Sequence, residues 1–260
     1  MQIGICANDA LLAHLPADAG HDFVEGLTQE VLLPERPEAD FAARAALLRS
    51  SGQLMPASNR FLPADLKVVG PTIDRARLER YAANVFRRAH AVGMNVIVFG
   101  SAAARQAPEG WSGARAFEQY VESLQLFAPF AAAHGVLLVV EPLWRGECNV
   151  VNTVLEGAEA VRRANHPAVR LLVDSFHIVR NGESFDDILK IAPVLRHAHI
   201  SEDRDRAPMG TYGDDLRPFL RALRRAGYDG RLTLEPVWGD IAAQAAPCVA
   251  ELRKQIAEAK

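Results

Sequence analysis

Two apolar runs of this chain each stop at a glutamate that is followed at once by proline. They read LLVVEP at residues 137–142 and LTLEP at residues 232–236. Because proline lacks the N–H that a buried strand needs, Glu141 and Glu235 should each end a strand. Two carboxylates placed alike are the groups that a reaction requires when it removes a proton from carbon and then returns one.

Two further apolar runs end in polar side chains that bind metals. The run VRLLVDSFH (169–177) puts Asp174 at a strand end, and RHAHISE (196–202) puts His199 near another. His197 lies two residues before His199 and therefore faces the same side, one layer deeper. We interpret His197 as a hydrogen-bonded interior histidine and leave it out of the candidate ligand set.

The rest of the sequence alternates short apolar runs with longer amphipathic ones, a pattern that predicts alternating strands and helices. The predicted strands are Gln2–Cys6, Phe23–Glu25, Gln53–Met55, Asn95–Phe99, Val136–Val140, Val169–Val173, His197–Ile200 and Leu232–Leu234. The predicted helices cover 38–50, 73–92, 113–134, 153–164, 185–192, 214–226 and 240–259. Residues 7–22 are predicted to form an irregular loop.

Several predicted boundaries carry residues that favour helix ends. Asp74 and Asp214 are expected at helix N-termini, and Gly93, Gly135 and Gly227 lie where helices should stop. Phrases such as AAAHGVLLVVEP therefore read as helix end, glycine, buried strand and loop, which is the βα unit of a parallel sheet.

Eight such strands without a dinucleotide-binding glycine fingerprint favour a closed (β/α)₈ TIM barrel over an open doubly wound sheet. We expect residues 1–260 to form one domain of this kind. In a barrel, the C-terminal ends of the strands meet at one rim. The side chains of Glu141, Asp174, His199 and Glu235 should therefore converge there.

Three carboxylates in one low-dielectric rim repel each other unless a cation or protons compensate. A divalent metal is the natural compensation, and we predict one per chain, held by Glu141, Asp174, His199 and Glu235. Oxygen ligands with one imidazole suit Mn²⁺ first, and Mg²⁺, Co²⁺ or Zn²⁺ as alternatives.

Composition excludes several classes of partner. The formal charge of −3 gives no reason to expect nucleic acid, and no apolar run reaches the length of about 18 residues that suggests a membrane span. The first lysine or arginine is Arg36, so a signal peptide is not expected. Three scattered cysteines, Cys6, Cys148 and Cys248, indicate reduced thiols and predict a cytoplasmic protein.

At these motifs the sequence resembles the xylose isomerase-like superfamily of sugar phosphate isomerases and epimerases, closest to ketose 3-epimerases and hydroxypyruvate isomerase-like proteins. The pieces that carry the resemblance are EPLWRGECNVVNT (141–153), VDSFHI (173–178), HAHISE (197–202) and AGYDGRLTLEP (226–236). It implies the four-residue metal set given above, with Glu141 and Glu235 as the two acid/base residues. It also implies a homodimer or homotetramer.

The resemblance implies further contacts to substrate. Ketose 3-epimerases place a substrate-binding glutamate and histidine at positions that match Glu147 and His177. They place a substrate-binding arginine at the position that holds Asp205 here. Arg204 and Arg206 flank this aspartate, and either could supply the guanidinium, so the sequence leaves the choice open.

The implied reaction is proton abstraction next to a carbonyl through a cis-enediolate, on a small sugar or polyol ketone. Epimerisation and aldose–ketose isomerisation remain alternatives. So does a lyase reaction like that of inosose dehydratases, which begins with the same step. A nuclease like endonuclease IV is disfavoured because no histidine follows the third or fourth predicted strand. A metal-free binding barrel is the remaining class.

Overall fold

Eight parallel strands close into a barrel in chain order, with β8 hydrogen-bonded to β1. The computed structural model describes residues 1–260. The strands are β1 (Gln2–Cys6), β2 (Phe23–Leu27), β3 (Ala57–Asn59), β4 (Val96–Phe99), β5 (Leu137–Val140), β6 (Val169–Asp174), β7 (Leu195–Ile200) and β8 (Arg231–Leu234). The predicted (β/α)₈ TIM barrel is thereby confirmed.

Helices pack around the outside of this barrel. They are α1 (Asp9–Leu12), α2 (Thr28–Val31), α3 (Glu38–Ser50), α4 (Arg75–Ala91), α5 (Ala102–Arg105), α6 (Gly113–Ala133), α7 (Val154–Ala164), α8 (Ser175–Arg180), α9 (Asp187–Lys190), α10 (Arg217–Arg225) and α11 (Ile241–Glu258). None of them is long and apolar enough to cross a membrane.

The third strand was predicted in the wrong place. The sequence favoured Gln53–Met55, but the strand is Ala57–Asn59, after Pro56. The error has a physical cause, because a strand of alanine, serine and asparagine shows no apolar run. Its polar groups are satisfied by partners distant in sequence: Thr28 Oγ1 lies 2.9 Å from Ser58 Oγ and donates to the carbonyl of Asn59 at 2.8 Å.

Most long helices begin and end within two residues of the predicted bounds, and two of the predicted helices are shorter for identifiable reasons. The stretch 185–192 forms only the short α9, followed by a 3₁₀ turn that contains Pro193. Helix α10 begins at Arg217 rather than at Asp214, whose carboxylate instead accepts a hydrogen bond from the Asp203 N–H at 2.8 Å. Asp74 does cap α4, as predicted, by accepting from the Arg77 N–H at 2.9 Å.

The sheet separates two different environments. Outside it, a core of 70 buried apolar residues fills the space between strands and helices. Inside the barrel, an apolar cluster occupies the β3–β6 side and consists of Ala57, Val96, Val98, Val139 and Leu172. The opposite side, from β2, β7 and β8, carries buried polar side chains instead: Glu25, His197, His199 and Thr233. The three cysteines are free and buried.

Glu183 lies in the α8–α9 loop, against the start of α7, and its charge opposes folding. Its Oε2 accepts from the Val154 N–H at 2.8 Å, whereas its Oε1 is buried without a partner. Burial raises the pKa of Glu183 to about 7, and the nearby carboxylates of Asp187 and Glu156 add to the effect. The folded protein thus binds a proton at Glu183 more tightly than the unfolded chain does, where the pKa of glutamate has its ordinary value of 4.5.

The stabilisation from this protonation is present below about pH 4.5 and is lost as the pH rises through about 7. At pH 8 the free energy of unfolding of Glu183→Gln should therefore exceed that of the wild type, by up to about 1 kcal/mol once solvent screening is taken into account. At pH 4.5 the difference should vanish. Urea unfolding at both pH values measures it, with Glu109→Gln, at an exposed loop position, as control. An equal gain at both pH values would contradict the assignment.

Candidate functional site

The four predicted ligand residues meet at the C-terminal rim of the barrel. Glu141 and Glu235 directly follow β5 and β8, Asp174 ends β6, and His199 is the last residue but one of β7. One donor atom from each residue lies within 4.8 Å of the others. His199 Nδ1 is 2.8 Å from Glu235 Oε2 and 3.2 Å from Glu141 Oε1. Three carboxylates and one imidazole at this spacing fit a divalent cation that prefers oxygen ligands.

Arg206 and protonated His199 offset part of the negative charge at this rim. The Arg206 Nη2 lies 2.7 Å from Asp174 Oδ2 and 2.6 Å from Glu235 Oε2. Burial favours the neutral form of Glu235, but Arg206 and His199 outweigh it and lower the pKa of Glu235 to about 2. Burial would also lower the pKa of His199, yet Glu25, Glu235 and Glu141 raise it well above its ordinary value.

The buried carboxyl group of Glu141 resists ionisation. Burial, followed by repulsion from Glu235, raises the pKa of Glu141 to about 7. Two neighbours fix its position. Arg105, fully buried at the end of α5, donates to the main-chain carbonyl of Glu141 at 2.6 Å. Gly100, directly after β4, leaves room for the carboxylate, because a Cβ there would lie 1.7 Å from Glu141 Oε2. Neither contact carries a recognisable signal in the sequence.

Glu235 is held from the other side of the rim by Asn59, the last residue of β3. The Asn59 Nδ2 donates to Glu235 Oε1 at 2.5 Å, and the Asn59 Oδ1 accepts from the Arg60 N–H at 2.6 Å. Sequence reasoning missed Asn59 because it placed the third strand several residues too early. Glu235 is also the more accessible of the two glutamates, with 15% of its side chain exposed against 3% for Glu141.

The loop after β7 separates the two candidate arginines. The side chain of Arg206 is 17% exposed and points into the ligand cluster, whereas that of Arg204 is 71% exposed and stacks on the Tyr212 ring at 4.3 Å. Asp205 also faces outward, where it accepts from the Tyr212 hydroxyl at 2.8 Å. Backbone φ angles of 56° at Asp205 and 48° at Arg206 produce this turn.

Buried Glu202 fixes the remainder of that loop. Its carboxylate accepts from the N–H groups of Gly210, Tyr212 and Gly213 at 2.6 to 3.1 Å. A loop fastened in this way holds Tyr212 in place as the outer partner of Arg204 and Asp205. The guanidinium that faces the rim is therefore that of Arg206.

His177 and Glu147 lie above the ligand cluster. His177 Nδ1 accepts from the Trp144 N–H at 3.2 Å, which leaves Nε2 to carry the proton, 3.6 Å from Asp174 Oδ2. Burial lowers the pKa of His177 well below its ordinary value. Glu147 is exposed, and its Oε1 accepts from the Trp144 indole N–H at 2.9 Å.

A cavity of about 340 Å³ opens above this cluster and has the size of a small-molecule site. The predicted residues that line it are Glu141, Glu147, His177, Arg206 and Glu235, and Gln29, Asn59, Arg60, Gly100 and Ser101 are among the others. Carboxylate, imidazole, guanidinium and amide groups thus surround one space. Such a lining suits a small ligand with many hydroxyl groups.

His197 lies below the cavity, as predicted, and is fully buried. Its Nε2 is 2.8 Å from Glu25 Oε2, so one ring nitrogen has the expected partner. Its Nδ1 has none, and the expectation of a fully hydrogen-bonded histidine is wrong there. Sequence reasoning gave Glu25 no role beyond ending the second predicted strand, although a glutamate inside a buried strand was a visible signal.

Gly100→Ala tests how strongly the site depends on the space beside Glu141. A methyl group at this position must displace the carboxylate, so Mn²⁺ affinity should fall by about tenfold or more, by analogy with the loss of a metal-orienting contact. Titration calorimetry with Mn²⁺ measures the effect, and circular dichroism checks folding. Gly113→Ala is the matched control, because a Cβ there meets nothing within 4 Å. Unchanged affinity in Gly100→Ala would show that Glu141 can move without consequence.

The sequence is similar to those of several known proteins. The chain is 34% identical over 120 residues to D-psicose 3-epimerase of Agrobacterium fabrum, covering 45% of this chain and 40% of that protein. It is 32% identical over 127 residues to a putative hydroxypyruvate isomerase of Streptomyces coelicolor, covering 46% of each. These alignments span less than half the length of the relatives.

The fold is shared more widely than the sequence. The crystal structure of D-allulose 3-epimerase from Methylomonas sp. superposes with a TM-score of 0.81 at 21% identity, over 98% of both chains. Residues 14–256 also match the family described as the xylose isomerase-like TIM barrel. The family resemblance inferred from the sequence motifs is thereby confirmed. This chain belongs to the xylose isomerase-like TIM-barrel family.

Proposed function

We propose that this protein is a divalent-metal-dependent sugar epimerase or isomerase that moves a proton next to a carbonyl group. The observation that carries the proposal is the cluster of Glu141, Asp174, His199 and Glu235 at one end of a cavity of about 340 Å³. A cation held by these residues, with Mn²⁺ first and Mg²⁺, Co²⁺ or Zn²⁺ as alternatives, would supply Lewis-acid polarisation of the substrate carbonyl.

Glu141 and Glu235 are the acid/base pair in this proposal. They reach the cavity from β5 and β8, and separate contacts hold each one: Arg105 the main chain of Glu141, Asn59 the carboxylate of Glu235. One glutamate removes the proton to give a cis-enediolate, and the other returns a proton from the opposite side. Return to the same carbon gives an epimer. Return to the neighbouring carbon, with transfer of the hydroxyl proton from one substrate oxygen to the other, gives the aldose or ketose isomer.

Glu147, His177 and Arg206 are the proposed substrate-binding residues. His177 offers its Nε2–H and Arg206 its guanidinium to substrate oxygens, while Glu147 accepts from a hydroxyl group. Arg204 is not proposed, because it faces solvent on the outer side of Tyr212. The polar lining supports a small sugar or polyol ketone, in agreement with the names of the relatives. No glycine-rich phosphate loop follows β8, where the sequence reads EPVWGD, so we propose a substrate without phosphate.

Other chemistry has less support from the rim. Strand β3 ends at Asn59 and strand β4 is followed by Gly100, so neither strand places a histidine at the rim, which disfavours a nuclease with several metals. A lyase begins with the same proton removal and is distinguished by its products. The homodimer or homotetramer and the cytoplasmic location stay predictions.

The central test of this function is a panel of ketoses and inososes in deuterium oxide with Mn²⁺, followed by NMR. The wild type should place deuterium on a substrate carbon, and an inosose that loses water would identify the lyase. Glu141→Gln and Glu235→Gln keep an oxygen ligand but remove the base, so turnover should fall by roughly 100-fold or more. Glu109→Gln is the control. Full activity in either site variant refutes the two-base mechanism.

A second test separates the two arginines. Arg206→Ala should lower kcat/KM by roughly 10- to 100-fold at saturating Mn²⁺, because a charged hydrogen bond to substrate is lost. Arg204→Ala is the matched control, and its kcat/KM should stay near that of the wild type. Steady-state kinetics on the substrate found above measures both. A larger loss in Arg204→Ala would reverse the assignment.

A further inference from the structure

Beneath the candidate metal cluster, Glu25 of β2 lies in the barrel interior and does not reach the cavity. Its side chain is fully buried, and its two oxygens accept three hydrogen bonds. Oε1 is 3.1 Å from His199 Nε2, and Oε2 is 2.8 Å from His197 Nε2. Thr233 Oγ1 donates to the same Oε2 at 2.9 Å. The carboxylate thus joins β2 to β7 and β8 across the inside of the barrel.

The contact between Glu25 and His199 decides which ring nitrogen of His199 is free. An ionised carboxylate only accepts hydrogen bonds, so His199 must present an N–H at Nε2. The other ring nitrogen, Nδ1, then faces Glu235 Oε2 at 2.8 Å and Glu141 Oε1 at 3.2 Å. Nδ1 is therefore the atom of His199 that belongs to the ligand cluster.

We propose that Glu25 is a positioning residue that keeps the proton of His199 on Nε2 and so assigns Nδ1 as the metal-binding atom. The proposal rests on the metal site proposed above. Histidine ligands commonly donate their second ring N–H to a carboxylate, which fixes both the tautomer and the ring orientation. Here the carboxylate is that of Glu25 in β2, and strands β8 and β1 lie between β2 and the strand β7 that carries His199.

His197 completes the arrangement, because it occupies the second oxygen of Glu25. With His197 and Thr233 both donating to Oε2, the carboxylate cannot rotate away from His199 without breaking two buried hydrogen bonds. The His197 ring also packs edge-to-face against the His199 ring, with the ring centroids 5.1 Å apart. The Nδ1 of His197 is buried without a hydrogen-bond partner, so a proton on this nitrogen would be unfavourable. We use this to predict the effect of substituting Glu25.

Glu25→Gln replaces one oxygen by an NH₂ group, so one of the two histidines must accept a hydrogen bond at Nε2 instead of donating one. If His197 changed, its proton would move to the buried Nδ1 that has no partner, which is unfavourable. If His199 changed, it would lose the proton on Nε2 and keep a proton on Nδ1, where Glu235 and Glu141 accept a hydrogen bond. The variant should therefore hold His199 in the tautomer that blocks metal binding.

The test combines NMR of ¹⁵N-histidine-labelled protein with titration calorimetry. In the wild type, His199 Nε2 should carry a proton both without metal and with Zn²⁺ bound. In metal-free Glu25→Gln, Nε2 should lose its proton, and Mn²⁺ affinity should fall by about 10- to 100-fold. Thr233→Val removes one of the two hydrogen bonds to Oε2 and keeps both histidine contacts, so its Mn²⁺ affinity should fall less than that of Glu25→Gln, by at most about threefold.

Asp174→Ala separates this inference from the proposed function. It removes a ligand and should abolish Mn²⁺ binding, while His199 keeps its Nε2 proton. Unchanged Mn²⁺ affinity in Glu25→Gln overturns the proposal, and so does an unprotonated Nε2 in the wild type, a result that needs no variant to fold. If the wild type binds no Mn²⁺ but the tautomer shifts as expected, the metal-dependent function fails and the hold of Glu25 on His199 stands.

Discussion

Repulsion among three carboxylates that end neighbouring or nearby strands is the constraint on which this site depends. Glu141, Asp174 and Glu235 are all at least 85% buried at the side chain, where water screens their charge poorly. Such a cluster needs positive charge or protons beside it, and Arg206 and His199 provide positive charge from the loop and strand of the seventh βα unit. A divalent cation would meet the same electrostatic requirement.

The interior of the barrel supports this rim unequally. Its β3–β6 side is apolar and packs like an ordinary core, whereas β2, β7 and β8 contribute Glu25, His197, His199 and Thr233. Buried polar groups are tolerated when they are paired, and here each hydrogen bond joins different strands. The polar side of the barrel interior thus has less apolar packing, and its hydrogen bonds fix the orientation of His199.

The loop after β7 carries an aspartate where the resemblance implied an arginine, and it still presents a guanidinium to the rim. Asp205 takes the place expected for an arginine, but it turns outward to Tyr212. Two successive residues in the left-handed region, Asp205 and Arg206, swing the next guanidinium into the rim. Such backbone conformations cost energy, and the hydrogen bonds of Glu202 to the same loop offset part of that cost.

The sequence by itself determined the fold and the identity of the four converging residues. The repeated apolar runs and the glycines at helix ends predict the alternating strands and helices. The two Glu-Pro pairs mark the ends of two strands. All of these signals lie within a few residues of the feature that they predict. The strand Ala57–Asn59 was not predicted, because the hydrogen-bond partners of its polar residues are distant in sequence. Asn59, which holds Glu235, was missed with it.

Contacts between residues far apart in sequence were decided only by the tertiary structure. Glu25 and His199 are 174 positions apart, and no spacing rule could join them. Two backbone angles place the guanidinium of Arg206, and not that of Arg204, at the rim. The position of the Glu141 carboxylate depends on the missing side chain of Gly100. Local pattern specifies which residues end a strand, whereas hydrogen-bond partners across the barrel depend on closure of the whole sheet.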